Sequence, residues 1–250
     1  MKKGLIVLVS IAAVLVIAGI GGYVYLTAPT KSPSGQGMMP PPGGPGGNRQ
    51  PPAPLAQASA PQAEPVTLAD GQTLYAIDAS KSVATFTLDE QLRGQPKTVI
   101  GTSTGMIAGQ IGLDAAHPSS STVGTVTLNA RTFVTDDNSR NNMIRRAILK
   151  TENDANEFIT FQPTVLDGLP ASIASGTPFA FQITGNLTIA GVTKPETFDA
   201  TAVLNDDGTL GIDASTTVSR ADFNLVIPNI PFIANVTDNV VLDLDLVAAK

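Results

Sequence analysis

Few side chains in this sequence are equipped for chemistry. There is no cysteine, and the one histidine, His117, stands before Pro118 in a serine-rich stretch. Thiol catalysis, disulfides, iron–sulfur ligation and multi-histidine metal sites are therefore excluded. A Ser-His-Asp triad would have to use His117. Asp136 and Asp137, with Asp114 or Asp78, offer carboxylates, but no spacing selects a cation site or a glycosidase pair. Asp136, Asp137 or Asn138 suits a helix start instead, where a short side-chain oxygen accepts free backbone N–H groups. Positive charge gathers in one place: Arg140, Arg145, Arg146 and Lys150 fall within eleven positions. Arginine forks bind phosphate in bidentate fashion, which makes Arg140, Arg145 and Arg146 head-group candidates for a ligand with an anionic end. The same residues also fit a solvated helix face, with Arg145 or Arg146 paired to Glu152 or Asp154. The formal net charge is −6. Nucleic acid is not an expected partner, because binding it requires clustered cations that displace counterions. No cofactor and no metal is called for.

The elements that would position these residues are mostly strands. Alternation of apolar and polar residues marks half-buried strands. In Val240–Leu246 the residues Val240, Leu242, Leu244 and Leu246 share one face, and Asp243 and Asp245 face water. Phe198–Leu204 alternates likewise, and Asn205-Asp206-Asp207-Gly208 supplies a turn before a returning strand over Ile212–Val218. Pro178–Ile189 places Phe179, Phe181, Ile183, Leu187 and Ile189 on one face, with Gly185 marking a bend or bulge. Further strands are predicted at Ser82–Asp89, Thr98–Asp114, Val123–Ala130 and Ile159–Leu166. One segment, Ser139–Leu149, has helical spacing through Met143, Ile144, Ala147 and Ile148. Many strands, frequent turns and one helix argue for an antiparallel barrel or sandwich.

Composition divides the chain into three. Residues 1–26 carry Lys2 and Lys3 followed by Gly4–Leu26, twenty-three residues without a charge. A bilayer core needs about 20 apolar residues to be spanned, so this run suits a membrane anchor or a signal sequence. As an anchor it would keep the lysines in the cytoplasm and place the rest outside it, at the periplasm or cell surface. Residues 27–72 hold eleven of the nineteen prolines and few large apolar residues, the composition of a disordered Pro/Gly-rich linker. Residues 73–250 form the folded domain.

Within that domain, Gly185-Asn186-Leu187-Thr188-Ile189-Ala190-Gly191-Val192-Thr193-Lys194-Pro195 closely resembles the G-x-L-T-I-x-G-V-T-[KR]-P signature of the YceI-like family. These are lipocalin-like bacterial proteins known for binding polyisoprenoids. Tyr75–Asp78, Ser82–Phe86, Gly109–Asp114, Thr135–Arg146, Phe158–Phe161, Arg220–Phe223 and Val236–Val240 resemble other family passages in the same order. Two positions depart: Lys81 precedes Ser82 where members often have histidine, and Asn224 follows Arg-x-Asp-Phe where they usually have glycine. The resemblance implies an all-β, extended eight-stranded antiparallel lipocalin-like barrel with a hydrophobic interior, exported from the cytoplasm.

Resemblance and alternation together give a site expectation. Phe86, Phe181, Ile183, Leu187, Phe198 and Phe223 are expected to line a cavity for an apolar chain, with Ile227 and Phe232 near its mouth. Ala202, with Ala200 and Ala214, would provide the room. Leu225–Ala234 is almost wholly apolar, yet Pro228 and Pro231 bar it from a central strand; such a segment covers a core, lines a mouth, meets a partner or touches lipid. The leading expectation is a membrane-tethered extracytoplasmic carrier or buffer for a polyisoprenoid, quinone or similar lipid, acting without catalysis. The alternative is a structural or stress-response interaction module whose barrel is filled by its own side chains. Gly4–Leu26 is expected to hold the protein in the membrane fraction through alkaline carbonate washing. A mature N-terminus between Thr27 and Lys31 would identify a cleaved signal instead.

Overall fold

Every second residue of the predicted strands is apolar, and the sheet they form buries that face. The computed structural model describes residues 57–250. The run expected to be an anchor or signal sequence, and the expected linker as far as residue 56, lie outside the described residues. Among the described residues no helix is long and apolar enough to cross a membrane. The first strands are β1 (Thr73–Ile77), β2 (Val83–Leu92), β3 (Gln95–Thr104), β4 (Ile107–Ala108), β5 (Gln110–Leu113), β6 (Thr122–Val123) and β7 (Val126–Asn129). They are followed by β8 (Phe158–Asp167), β9 (Phe179–Ile189), β10 (Val192–Leu204), β11 (Leu210–Ser219), β12 (Ile233–Ala234) and β13 (Asn239–Ala249).

All pairings are antiparallel, and they join the strands into one curled sheet. Its path runs β4-β7-β8-β9-β10-β11-β13. On its other edge β13 pairs with β2 over Val241–Asp245 and with β1 at Ala248 and Ala249. β2 pairs with β3, and the chain runs on from β3 through Gly105 and Met106 into β4; among the described residues no strand pairing joins these two, so the sheet is a curled half-barrel. The segment predicted as one strand over Thr98–Asp114 is three. Gly105 has φ +73, a conformation that costs glycine little, and it breaks the pleat between β3 and β4. β3, β4 and β5 then take different partners: β2, β7 and β1. Such interruptions are why thirteen strand segments appear where eight were expected.

The glycine-rich signature is the β9–β10 hairpin. Ala190 (φ +48) and Gly191 (φ +80) form its turn, with the two positive φ values that match the right-handed twist of the flanking strands. Thr188 pairs its hydroxyl with that of Thr193 at 2.8 Å, and Thr184 with that of Thr197 at 2.8 Å. Gly185 faces a bulge on β8, where the register shifts between Pro163 and Val165.

The helix α1 (Asn138–Met143) is capped by Asp137, whose carboxylate accepts from the Arg140 N–H at 2.8 Å. It continues as a π-helical turn over Ile144–Ile148, shorter in regular α geometry than the 3.6-residue spacing suggests. The wider turn swings Leu149 inward, and its N–H bonds the Ile144 carbonyl at 2.8 Å.

Two apolar clusters fill the interior. The larger includes Phe133, Phe161, Leu187, Phe198, Val218 and Phe223. The smaller joins Tyr75, Ile111, Leu113, Ile173, Ala202, Leu210 and Ala248. On β13, Val240 and Leu246 are buried and Asp245 is exposed, the predicted register. Leu242 and Leu244 are only half-buried because they face open space. Asp243 is half-buried too, accepting from the Ser215 hydroxyl at 2.7 Å.

Residues 57–72 precede the boundary drawn from composition, and they follow the surface of the domain as an irregular strap. Its first residues enter a buried polar socket. The Arg131 guanidinium donates to the Gln57 carbonyl (2.8 Å), the Asn129 amide donates to the Ser59 carbonyl (2.6 Å), and the Ser59 N–H donates to Glu157 (2.5 Å). Arg131 and Glu157 are themselves paired at 3.0 Å. Burial pushes the Glu157 carboxyl up, but hydrogen bonds from Ser59 and Asn129 and the Arg131 charge leave it below its ordinary value.

A Cβ at Gly185 would stand 2.7 Å from the Phe161 ring and also collide with the Gln162 carbonyl. Gly185→Ala is therefore expected to destabilise the domain by about 1–3 kcal/mol, the usual range for overpacking, measured by urea or thermal unfolding.

Candidate functional site: an apolar cavity with a polar mouth

The large cluster does not close completely. It surrounds a cavity of about 720 Å³, within the range of small-molecule pockets. One wall comes from inward residues of β8, β9 and β10: Ile159 and Phe161, Leu187 and Ile189, and Phe198. Phe161 and Phe198 meet edge to face with centroids 4.9 Å apart. The opposite wall is β2, through Ala84, Phe86 and Leu88. Phe86 packs edge to face on Phe133 at 5.2 Å. It fits because its cross-strand partner is Gly101, where any Cβ would strike the ring. Met143, Ile144 and Ile148 contribute from the helix, and Leu225, Ile227, Ile230 and Ile233 from the loop before and into β12.

Arg93, Arg220 and Asp243 border this lining, and four further charged groups on it form one linked cluster. Glu90 follows Ala84, Phe86 and Leu88 on the inward face of β2 and is 6% exposed. Arg140 meets it at 2.9 Å and also pairs with Asp136. Lys97 bonds Asp136 at 2.5 Å. The hydrogen bond from Lys97, with the charges of Arg140 and Lys97, holds the Asp136 carboxyl below its ordinary value against partial desolvation. The Arg140 Nε is buried with no hydrogen-bond partner. It is a free donor beside an apolar chamber.

Of the residues named from sequence, Phe86, Leu187, Phe198, Ile227 and Arg140 come together on this cavity. Phe223 is 1% exposed and belongs to the packed core, outside the lining. Ile183 is half-buried against the same core, also outside the lining. Phe181 borders a separate depression with Asp199, Asp213 and Asp243. Ala202 sits in the smaller, filled cluster opposite Phe179, so it does not make room in this chamber. Phe232 is 73% exposed, with its side chain outside the cavity.

Arg145 and Arg146 also lie off the lining. Arg145 reaches the Phe133 carbonyl at 3.5 Å, and Arg146 pairs with Glu152 at 3.2 Å. Helix geometry explains the split: Arg140, Ile144 and Ile148 are spaced by four and share a face, from which Arg145 and Arg146 are rotated away. Glu90 was missed because the strand was ended at Asp89; extending the alternation of Ala84, Phe86 and Leu88 by one step finds it.

Arg220 has a structural place. It donates to the Leu225 carbonyl at 2.7 Å and stands 3.8 Å from Asp238, joining the two ends of the apolar loop. Asn224 adopts φ +54, a left-handed conformation that asparagine tolerates better than most residues, which explains a position where glycine is usual in the resembling family. His117 is exposed, 3.5 Å from Asp114. Asp114 spends one oxygen on the backbone N–H groups of Ala116 and His117. Among the described residues no three His, Cys, Asp or Glu side chains group as metal ligands would.

The profile of the YceI-like domain matches residues 75–248, a span that includes both the cavity walls and the signature hairpin. The chain belongs to the YceI-like family. Its fold is similar to that of a polyisoprenoid-binding domain from Saccharophagus degradans implicated in plant cell wall breakdown. The TM-score is 0.55 at 16% identity, over 70% of this chain and 98% of that one. It is also similar to BcnA of Burkholderia cenocepacia, with a TM-score of 0.53 at 20% identity, over 69% of this chain and 99% of that one. No curated protein matches the sequence. At these identities the likeness concerns the fold, and the cavity of this YceI-like chain must be argued from its own residues.

The buried ion pair offers a direct test of the mouth. Arg140→Met leaves Glu90 without its counter-charge and is expected to destabilise the domain by about 3–5 kcal/mol in urea unfolding. Replacing both, Glu90→Leu with Arg140→Met, should recover most of that loss.

Proposed function

We propose that this YceI-like domain binds a single apolar chain, a polyisoprenoid, isoprenoid quinone or similar lipid, as a carrier or buffer and without catalysis. The observation that carries the reading is the cavity itself: about 720 Å³ of space lined mainly by apolar side chains. Burial of hydrocarbon at roughly 25 cal/mol per Å² supplies affinity without any reacting group. The tail lies against Phe86, Leu187 and Phe198. The head group sits beside Arg140, whose free Nε can donate to a carbonyl or phosphate oxygen. Arg145 and Arg146 are left out of the head-group site, because neither reaches the cavity.

The polyisoprenoid-binding neighbour of the same fold supports the ligand class. The uncharged run Gly4–Leu26 supports tethering, with the barrel on the extracytoplasmic side. The alternative of a barrel filled by its own side chains fits the smaller cluster but not the larger, where Leu242 and Leu244 face open space.

The test is lipid extraction and mass spectrometry of protein purified from its native membranes, alongside an Ala84→Phe variant. Ala84 is buried on the cavity wall, and a ring there intrudes into the chamber. Wild type is expected to carry one isoprenoid chain per protein, and a folded Ala84→Phe variant to carry at least tenfold less. Equal loading in both, or none in the wild type after incubation with polyprenol, rejects the reading.

A further inference from the structure

Leu225–Ala234 contains no charged residue and shows two different sides. Leu225, Ile227, Ile230 and Ile233 line the cavity. Val226 and Phe232 lie outside that lining and are 71% and 73% exposed, the highest values among the large apolar residues described as exposed. Their exposure is built into the backbone. Phe232 has φ +74, a conformation an aromatic residue rarely adopts, so its side chain is held out by a locally strained main chain. That main chain is pinned on both sides: the Phe232 carbonyl accepts from the Arg93 N–H at 2.7 Å, and Ile233 pairs with Leu92. Arg220 closes the base of the loop. A core-covering loop would have turned these two side chains inward.

The surroundings select a lipid surface as the occupant. The Arg93 guanidinium lies 5.9 Å from the Phe232 ring. An apolar tip backed by a cation matches the boundary between acyl chains and head groups. Two protruding side chains fall far short of the roughly 800 Å² per partner that a stable protein interface needs. The sequence before the described residues contains its own apolar run, Gly4–Leu26, and residues 27–56 would reach about 100 Å if fully extended. The loop can therefore meet the bilayer that holds the tether.

We propose that Leu225–Ala234 docks into the membrane surface, with Val226 and Phe232 inserted among the lipid head groups. The cavity then opens against the bilayer, and an apolar ligand passes between the two without crossing water. The passage rests on the ligand reading above; the docking does not.

The chain has no tryptophan, so Phe232→Trp introduces a single indole at the tip. Full-length protein carrying this change is reconstituted in phosphatidylcholine–phosphatidylglycerol vesicles, with and without brominated acyl chains. Emission should shift to the blue and be quenched by the brominated lipid. Val165→Trp, at an exposed site toward the far end of β8, should remain red-shifted and unquenched. An unquenched Phe232→Trp overturns the docking. So does a blue shift that appears without vesicles and grows with protein concentration, which would assign the loop to a second copy of the chain. In a parallel assay, Val226→Asp should slow uptake of polyprenol from the same vesicles at least tenfold while final loading stays unchanged; an unchanged rate overturns the passage. A wild type that takes up no polyprenol defeats the ligand reading, and quenching then decides the docking alone.

Discussion

One edge of β13 has to satisfy two neighbours. Its other edge pairs with β11 from Asn239 to Ala248, but this edge gives its middle to β2 and its end to β1. The sheet must divide at that point, and the division separates the interior into two compartments. Along β2 and β3 the walls stand around open space. Along β1 and β5 the small residues Ala202 and Ala248 let Tyr75, Ile111 and Leu210 close together into a packed cluster. The same division recurs in the long segment from Gln95 to Leu113, whose partners change at Gly105 and Gly109. A chain that crosses between neighbours twice needs residues that abandon the pleat without strain, and Gly105 at φ +73 is one.

The strands were legible because a half-buried sheet enforces a period of two, and a slip by one residue would reverse every face. Val240, Leu246 and Asp245 illustrate it. The hairpin turn was legible as a motif, and its backbone gives the reason: Ala190 and Gly191 hold positive φ in succession. The cavity was legible only in part. Alternation says which residues point inward; it does not say how far the opposite wall stands. Phe198 and Ala202 both point inward from β10, yet one borders the chamber and the other is packed shut. That difference depends on which strands lie across, a long-range fact that no local pattern contains. Phe232 was expected only near the mouth; its neighbours are apolar, and the sign of one backbone angle leaves its side chain exposed beside Arg93.

The mouth combines interactions that would be weak apart. Lys97, Asp136 and Arg140 form a chain of charges that begins exposed and ends on buried Glu90. An exposed pair contributes little, because water screens it. Here each link fixes the next, so Asp136 restrains Arg140, and Arg140 neutralises a carboxylate that the apolar wall could not otherwise hold. The arrangement leaves one donor, Arg140 Nε, uncommitted. In the proposed binding role, hydrocarbon would lie against the apolar walls and an acceptor atom beside that donor.

The polar socket of the strap has a mechanical consequence. A pull on the chain upstream of residue 57 does not act first on β1. It meets the hydrogen bonds that Arg131 and Asn129 donate to the Gln57 and Ser59 carbonyls and that the Ser59 N–H donates to Glu157, and then those at Glu64 and Val66. Load is taken up by side chains rooted beside β7 and β8, and β1 bears it only after they yield. β1, held between β13 and β5, is thereby shielded from being drawn out of the sheet first.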